Sequence, residues 1–235
     1  MLMRLRLFSF RAAVALLLAL GLPLAATVAA QPATGGPVNF QIDGWTDNWF
    51  AAYNGEKLIV EDSVPITTVM SFNSESARFT AEYPLHLNFI IKDYLENKTG
   101  LEYIGTRRQQ MGDGGFIMQV TDLSTGKVVA VSDEKFACKV IMRAPLDKSC
   151  EREARPVAGV APCTFMELAE PAGWKRPDFD DSSWKDTTVW GSREVSPKDG
   201  YYRIKWDRQA KFIWGPDILA DNTVLCRVTV NKPAN

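Results

Sequence analysis

The sequence predicts an all-β fold: a jelly-roll or β-sandwich with a single core, stapled by disulfides. Three observations lead there. Apolar residues alternate with period two in several short runs, and no long stretch holds a 3.6-residue period. Turn-forming residues separate these runs at intervals of about 8–12 residues. Four cysteines lie beyond the N-terminal segment, two of them on the apolar face of such a run.

The first thirty residues read as an address. Arg4, Arg6 and Arg11 form a positive region, Ala12 to Leu24 is an almost unbroken apolar run, and Val28 and Ala30 are the small residues of a cleavage site. The apolar run is far shorter than the roughly 20 residues that cross a bilayer. The pattern is that of a secretory signal peptide. We expect cleavage near Ala30, a secreted or periplasmic chain of residues 31–235, and no membrane span in it.

Residues 48–53 and 57–61 flank Asn54-Gly55, the pair that accepts the positive φ values of a tight hairpin turn. Leu85, Leu87, Phe89 and Ile91 alternate with His86, Asn88, Ile90 and Lys92. Phe116, Met118 and Val120 repeat the pattern, and a Ser124-Thr125-Gly126 turn leads to a strand over 127–131. Phe136, Cys138, Val140 and Met142 share one face, as do Val224, Cys226, Val228 and Val230. Residues 211–214 supply another short strand. The stretch at about 145–163 is charged, rich in Pro and Ala, and aperiodic, so it reads as a long loop.

Four cysteines in an exported chain suggest two disulfides with three possible connectivities. Cys138 and Cys226 both point at a core, so we expect Cys138–Cys226 to tie two core strands and Cys150–Cys163 to close the loop. There is no C-x-x-C and no His nearby, so we expect no metal at these thiols.

The balance of 27 Lys+Arg against 28 Asp+Glu, with a 46% hydrophobic fraction, excludes a disordered or collagenous chain. Nucleic-acid binding needs a basic excess that is missing. A single His, His86, sits opposite Leu85 and Leu87 on a polar strand face. S-x-x-K occurs three times but never in the order or helical context of an acyl-transfer enzyme, and no G-x-S-x-G elbow is present. A carboxylate-pair hydrolase needs two facing acids, which no motif signals. We therefore expect no catalytic residues.

Asp47-Asn-Trp-Phe-Ala-Ala-Tyr-Asn-Gly55 resembles the aspartate-led aromatic strand of galactose-binding-like jelly-roll domains. Pro177-Asp-Phe-Asp-Asp-Ser-Ser-Trp184 is similar to another segment of those carbohydrate-binding modules, as are Lys211 to Gly215 with Leu225 to Val228, and Gly112 to Phe116. The motif order is rearranged, since the Asp-Asp-Ser segment here follows the Asn-Gly strand. In that segment Phe179 and Trp184 can enter a core while Asp180, Asp181 and Ser182 bond the turn. Asp178, Asp180 and Ser182 leave structural calcium open, but Val189 occupies the twelfth position and excludes an EF-hand loop. No other cofactor is expected.

The resemblance implies a non-catalytic module for carbohydrate or cell-envelope glycan. Seven Trp, 12 Phe and six Tyr supply flat faces for sugar rings. Trp184, Trp214 and Trp49 read as core. Trp45, Trp190, Tyr201, Tyr202 and Trp206 lie near Gly, Asp or Lys and read as surface candidates. With the polar loop at 107–113, the expected ligand-binding set is Arg107, Gln109, Asp113, Trp190, Tyr202 and Trp206. The other reading is a structural or protein-interaction sandwich serving a separate secreted partner.

Overall fold

The computed structural model describes residues 36–234; the expected signal peptide and the cleavage site near Ala30 lie outside them. Along the chain run β1 (Val38–Asp47), β2 (Trp49–Asn54), β3 (Lys57–Glu61), β4 (Asn73–Ala81), β5 (Leu85–Lys92), β6 (Leu101–Glu102) and β7 (Gln110–Met111). There follow β8 (Gly115–Asp122), β9 (Lys127–Val131), β10 (Ala137–Arg143), β11 (Met166–Glu167), β12 (Thr188–Trp190), β13 (Phe212–Trp214) and β14 (Asp221–Val230). The first sheet has the order β12-β13-β8-β1-β4, with β9 also on β8; the second is β11-β10-β14-β5-β2-β3; β6 and β7 form a small third. The all-β class is as the alternation predicts.

One core lies between the two large sheets. It takes Phe40 and Ile42 from β1, Phe116, Met118 and Val120 from β8, and Leu85, Leu87, Phe89 and Ile91 from β5. The period-two runs put these side chains on the inward faces, because successive residues of a strand point to opposite sides. Phe116 of the first sheet meets Phe50 and Phe89 of the second, with ring centroids 5.5 and 5.2 Å away. The hairpin of β2 and β3 turns at Gly55, whose φ of +56° suits glycine.

Cys138 and Cys226 lie directly opposite each other on β10 and β14 and are bonded, with Cα atoms 4.1 Å apart. Cys150 is bonded to Cys163. The second bridge pins the long loop between β10 and β11, which carries a short 3-10 turn at Lys148–Arg152 capped by Asp147. These are the two pairs the sequence led us to expect.

Both outer faces are covered by the chain itself. On the second sheet, Ile90, Ile141 and Leu225 form a separate small core with Trp174 and Trp184 from the 168–187 segment. Arg227 fastens that segment. It donates to Asn88 Oδ1, to the carbonyls of Arg176 and Phe179, and to the Asp181 carboxylate. Asp180 accepts from Ser182 N, so the Asp-Asp-Ser turn is bonded to itself, and Asp178 pairs with Arg176. On the first sheet, Trp45 is fully buried and its indole N–H donates to the Asp199 carbonyl, with Tyr201 and Phe212 edge-on to its ring. This corrects the sequence reading of Trp45 as a surface residue: the 197–211 segment lies over it. Trp49 is also corrected, since it is half-buried beside the outer cluster and not in the main core.

Two long strands, β1 and β4, escaped the sequence reading, as did the short β6, β7, β11 and β12. β1 is central to the first sheet, yet residues 42–48 are buried on both faces, so inside and outside do not differ in polarity there. β4 is an edge strand of half-exposed residues with a weak alternation.

A disulfide stabilises mainly by restricting the unfolded chain, more for longer loops. The separations of 88 and 13 residues correspond to about 4.6 and about 2.9 kcal/mol on that basis. Replacing Cys138 and Cys226 by Ala should therefore cost more stability in urea unfolding than replacing Cys150 and Cys163. Equal losses would show that the loop bridge does more than close a loop.

Candidate functional site

The strand ends that carry Asp47, Asp93 and Asp221 gather at one end of the sandwich, with the 93–114 connection and the β6–β7 pair beside them. Asp47 ends β1, and Asp93 follows β5. Glu102 lies in β6, and Asp113 precedes β8. Lys198, on the segment after the single helical turn at Ser192–Val195, reaches in from above. Its Nζ donates to Asp47 Oδ2 at 2.9 Å, sits 3.3 Å from Asp113 Oδ2, and lies 4.5 Å over the Phe72 ring.

Asp93 is buried beside them. Asn222 donates to its Oδ2 at 3.3 Å, while its Oδ1 has no hydrogen-bond partner among the described residues. The backbone of Gly112 packs against this carboxyl: a Cβ there would collide with Oδ2. Around it, Asn48 Oδ1 accepts from Tyr94 N, fixing the start of the 93–114 connection to the β1–β2 junction.

Four acids near one lysine cannot all stay charged away from water. Burial, reinforced by Asp113 and Glu102 and offset by Lys198, pushes Asp47 up to about 8. Burial first, then Asp47, Glu102 and Asp113, holds Asp93 well above the usual carboxylate range. Glu102 is raised by burial, against a hydrogen bond from Gln110. Burial alone would lower Lys198, but Asp47 and Asp113 outweigh it and hold its pKa above the ordinary value. The raised pKa favours the uncharged carboxyl, which costs less than a carboxylate where one oxygen meets no partner. Among the described residues, no group of three or more His, Cys, Asp or Glu side chains is placed to hold a metal ion.

Over this cluster the connection presents aromatic and cationic groups. Tyr103 has a φ of +52°, a left-handed conformation that costs a non-glycine residue about 1–2 kcal/mol. Its carbonyl accepts from the N–H and hydroxyl of Thr106, and Arg108 stacks on its ring at 4.0 Å. Tyr94 and Tyr103 are half-exposed, and Arg107 and Arg108 are exposed. Glu102 feels both Asp113 and Arg108, which places these groups in one neighbourhood.

The six residues expected to bind ligand do not form one surface of free side chains. Asp113 stands in the cluster, on Lys198. Arg107 is exposed on the same connection. Gln109 is consumed structurally: its amide donates to the carbonyls of Glu151 and Glu153, and its oxygen accepts from Gly105 N, joining the connection to the disulfide loop. Trp190 and Trp206 are half-buried, with their N–H groups on the carbonyls of Gly215 and Tyr201. Trp206 stacks on Tyr201 at 5.7 Å in the cover of the first sheet. Tyr202 stands out at 81% exposure. Asp47, Asp93, Glu102 and Lys198 were not singled out as a site; the one signal for them is an acid at the end of a strand.

No family model, curated protein or solved structure matches the chain.

The raised acids fix a pH dependence. Asp47 keeps its proton in the folded state up to about 8, whereas the unfolded chain releases it near 3.8. Stability from this group is complete below that lower value and is lost as pH rises to about 8, because the folded state binds the extra proton. Asp93 adds to the same slope. We expect the urea midpoint to fall between about pH 4 and pH 8, and Asp47→Asn to flatten the fall. A midpoint that rises over this range would contradict the buried, protonated pair.

Proposed function

We propose that the chain is an exported, non-catalytic binding module for a polyhydroxylated ligand, a glycan or cell-envelope polymer, and that it binds at the loop end built on residues 93–114. The observation that carries this reading is Tyr103. A half-exposed tyrosine held in a left-handed turn, with a guanidinium on one face and acids beside it, combines an apolar platform with charged hydrogen-bonding groups. Polyols are held by that pairing of a ring face with acceptors and donors for hydroxyls. Two disulfides, the second pinning the loop next to the site, suit an oxidising compartment outside the cytosol. The rearranged galactose-binding-like jelly roll remains our reading of the fold family.

A protein-interaction role is the second reading. It draws on Leu146, Val157 and Val160, which are exposed on the disulfide-pinned loop.

A screen of the purified protein against glycans and cell-wall polymers by calorimetry separates the two. We expect saturable binding to one polyol class, weakened about tenfold or more by Tyr103→Ala and by Asp113→Asn, and little changed by Trp206→Phe. Silence across the panel from a protein that melts cooperatively would overturn the glycan reading. Release of reducing sugar that Asp47→Asn abolishes would replace it with a carboxylate-pair hydrolase.

A further inference from the structure

We propose that the amine of Lys198 and the side-chain carboxyl of Asp47 condense to an amide, a covalent bond between the end of β1 and the segment that covers the first sheet. Lys198 Nζ lies 2.9 Å from Asp47 Oδ2, so the carboxyl carbon is one bond beyond contact. Asp113 stands on the same nitrogen, 3.3 Å away through Oδ2 and 3.5 Å through Oδ1. Phe72 closes a further side, its ring centroid 4.5 Å from Nζ. Among the ion pairs of the described residues, no other lysine meets two carboxylates, and none has a partner as buried as Asp47. A nucleophile, a carboxyl held against it and a second carboxylate to carry protons are the parts that amide formation needs.

Burial favours the protonated form of Asp47, which is the electrophilic one, since a carboxylate repels a nucleophile. The acids keep Lys198 charged at rest, so its nitrogen must first lose a proton. Asp113 takes it, and the freed lone pair forms the N–Cγ bond. Asp113 then hands that proton to the hydroxyl of Asp47. The C–O bond breaks, water leaves, and Asp113 accepts a second proton from the nitrogen. One amide, one water and a protonated Asp113 result, and nothing is oxidised or reduced. Glu102 also acts on this pair through its charge, but its carboxylate is bonded to Gln110.

Holding two reactants in contact gives an effective concentration of about 10⁵ M or more, far above that of the water competing for the carboxyl. The amide also replaces an ion pair whose acid is buried, which relieves the cost of desolvating two charges. The bond spans 151 residues, more than either disulfide. In the coupled chain Asp47 no longer titrates, and Asp93 and Glu102 are left to carry the loss of stability at rising pH.

Mass spectrometry of the purified protein, reduced and denatured, tests this. We expect a chain one water lighter than its residues sum to, no tryptic cut between Lys198 and Asp199, and a branched peptide that joins Lys198 to Asp47. Lys198→Arg keeps the charge but not the amine, and should show the full mass. Asp113→Ala, at a half-buried position, should couple about a hundredfold more slowly or not at all. The native chain decides by itself, so the test survives a variant that folds poorly. A native chain of full mass that trypsin cuts after Lys198 would overturn the proposal. So would a branched peptide that ends on Asp113 instead of Asp47, or coupling undiminished in Asp113→Ala.

Discussion

Arg227 lies on the outer face of the second sheet with 6% of its surface exposed. A guanidinium cannot be taken from water at that depth unless its donors are met. Here Asn88, one carboxylate and two backbone carbonyls meet them, and three of these four partners belong to the segment that covers the sheet. The charge therefore requires the cover, and the cover is shaped around the charge. Trp174 and Trp184 then fill the space over Ile90, Ile141 and Leu225, turning what would be a wet face into a second core. Trp45 and Tyr201 make a similar layer on the first sheet, with an indole hydrogen bond in place of the ion pair.

Four layers result: two sheets and two covers. This accounts for much of the aromatic load without any ligand. It also confines recognition to places the covers leave open, which are the ends and the edges. At one end, acids from β1, β5, β6 and the start of β8 meet under Lys198, and a tyrosine is held above them in an unfavourable backbone conformation. The physical contrast is sharp. Asp47 and Asp93 are buried, and burial raises both their pKa values, while Tyr103, Arg107 and Arg108 on the connection remain accessible.

Much of the fold is legible in the sequence because period-two burial is a local property. Leu85 to Ile91 and Phe116 to Val120 show their inward faces in any window that contains them. The cysteines follow from the same logic, since Cys138 and Cys226 each occupy an inward position of a run. The cover is only half legible. The Asp-Asp-Ser turn can be read as structure, but nothing near Trp45 says that a distant segment folds over it, nothing near Trp206 says that its own segment lies down on a sheet, and both resemble surface residues. The acid cluster is less legible still. Asp47 and Lys198 are dozens of residues from the 93–114 connection that carries the other three acids, and the raised pKa values of Asp47, Asp93 and Glu102 arise only when these segments meet. Gln109 looks like a ligand-binding amide in a polar loop until the carbonyls of Glu151 and Glu153 arrive from the disulfide-pinned loop.

Hydrogen exchange resolved along the chain tests most directly whether the cover is part of the fold. In the native protein the amides of Trp174, Phe179 and Trp184 should exchange nearly as slowly as those of β5 and β14, because the segment opens only when Arg227 loses its partners. In Arg227→Met those three amides should exchange much faster while the β8 and β5 amides keep their protection. Fast exchange across 168–187 in the native protein, with both sheets fully protected, would show a loosely attached flap and contradict the account.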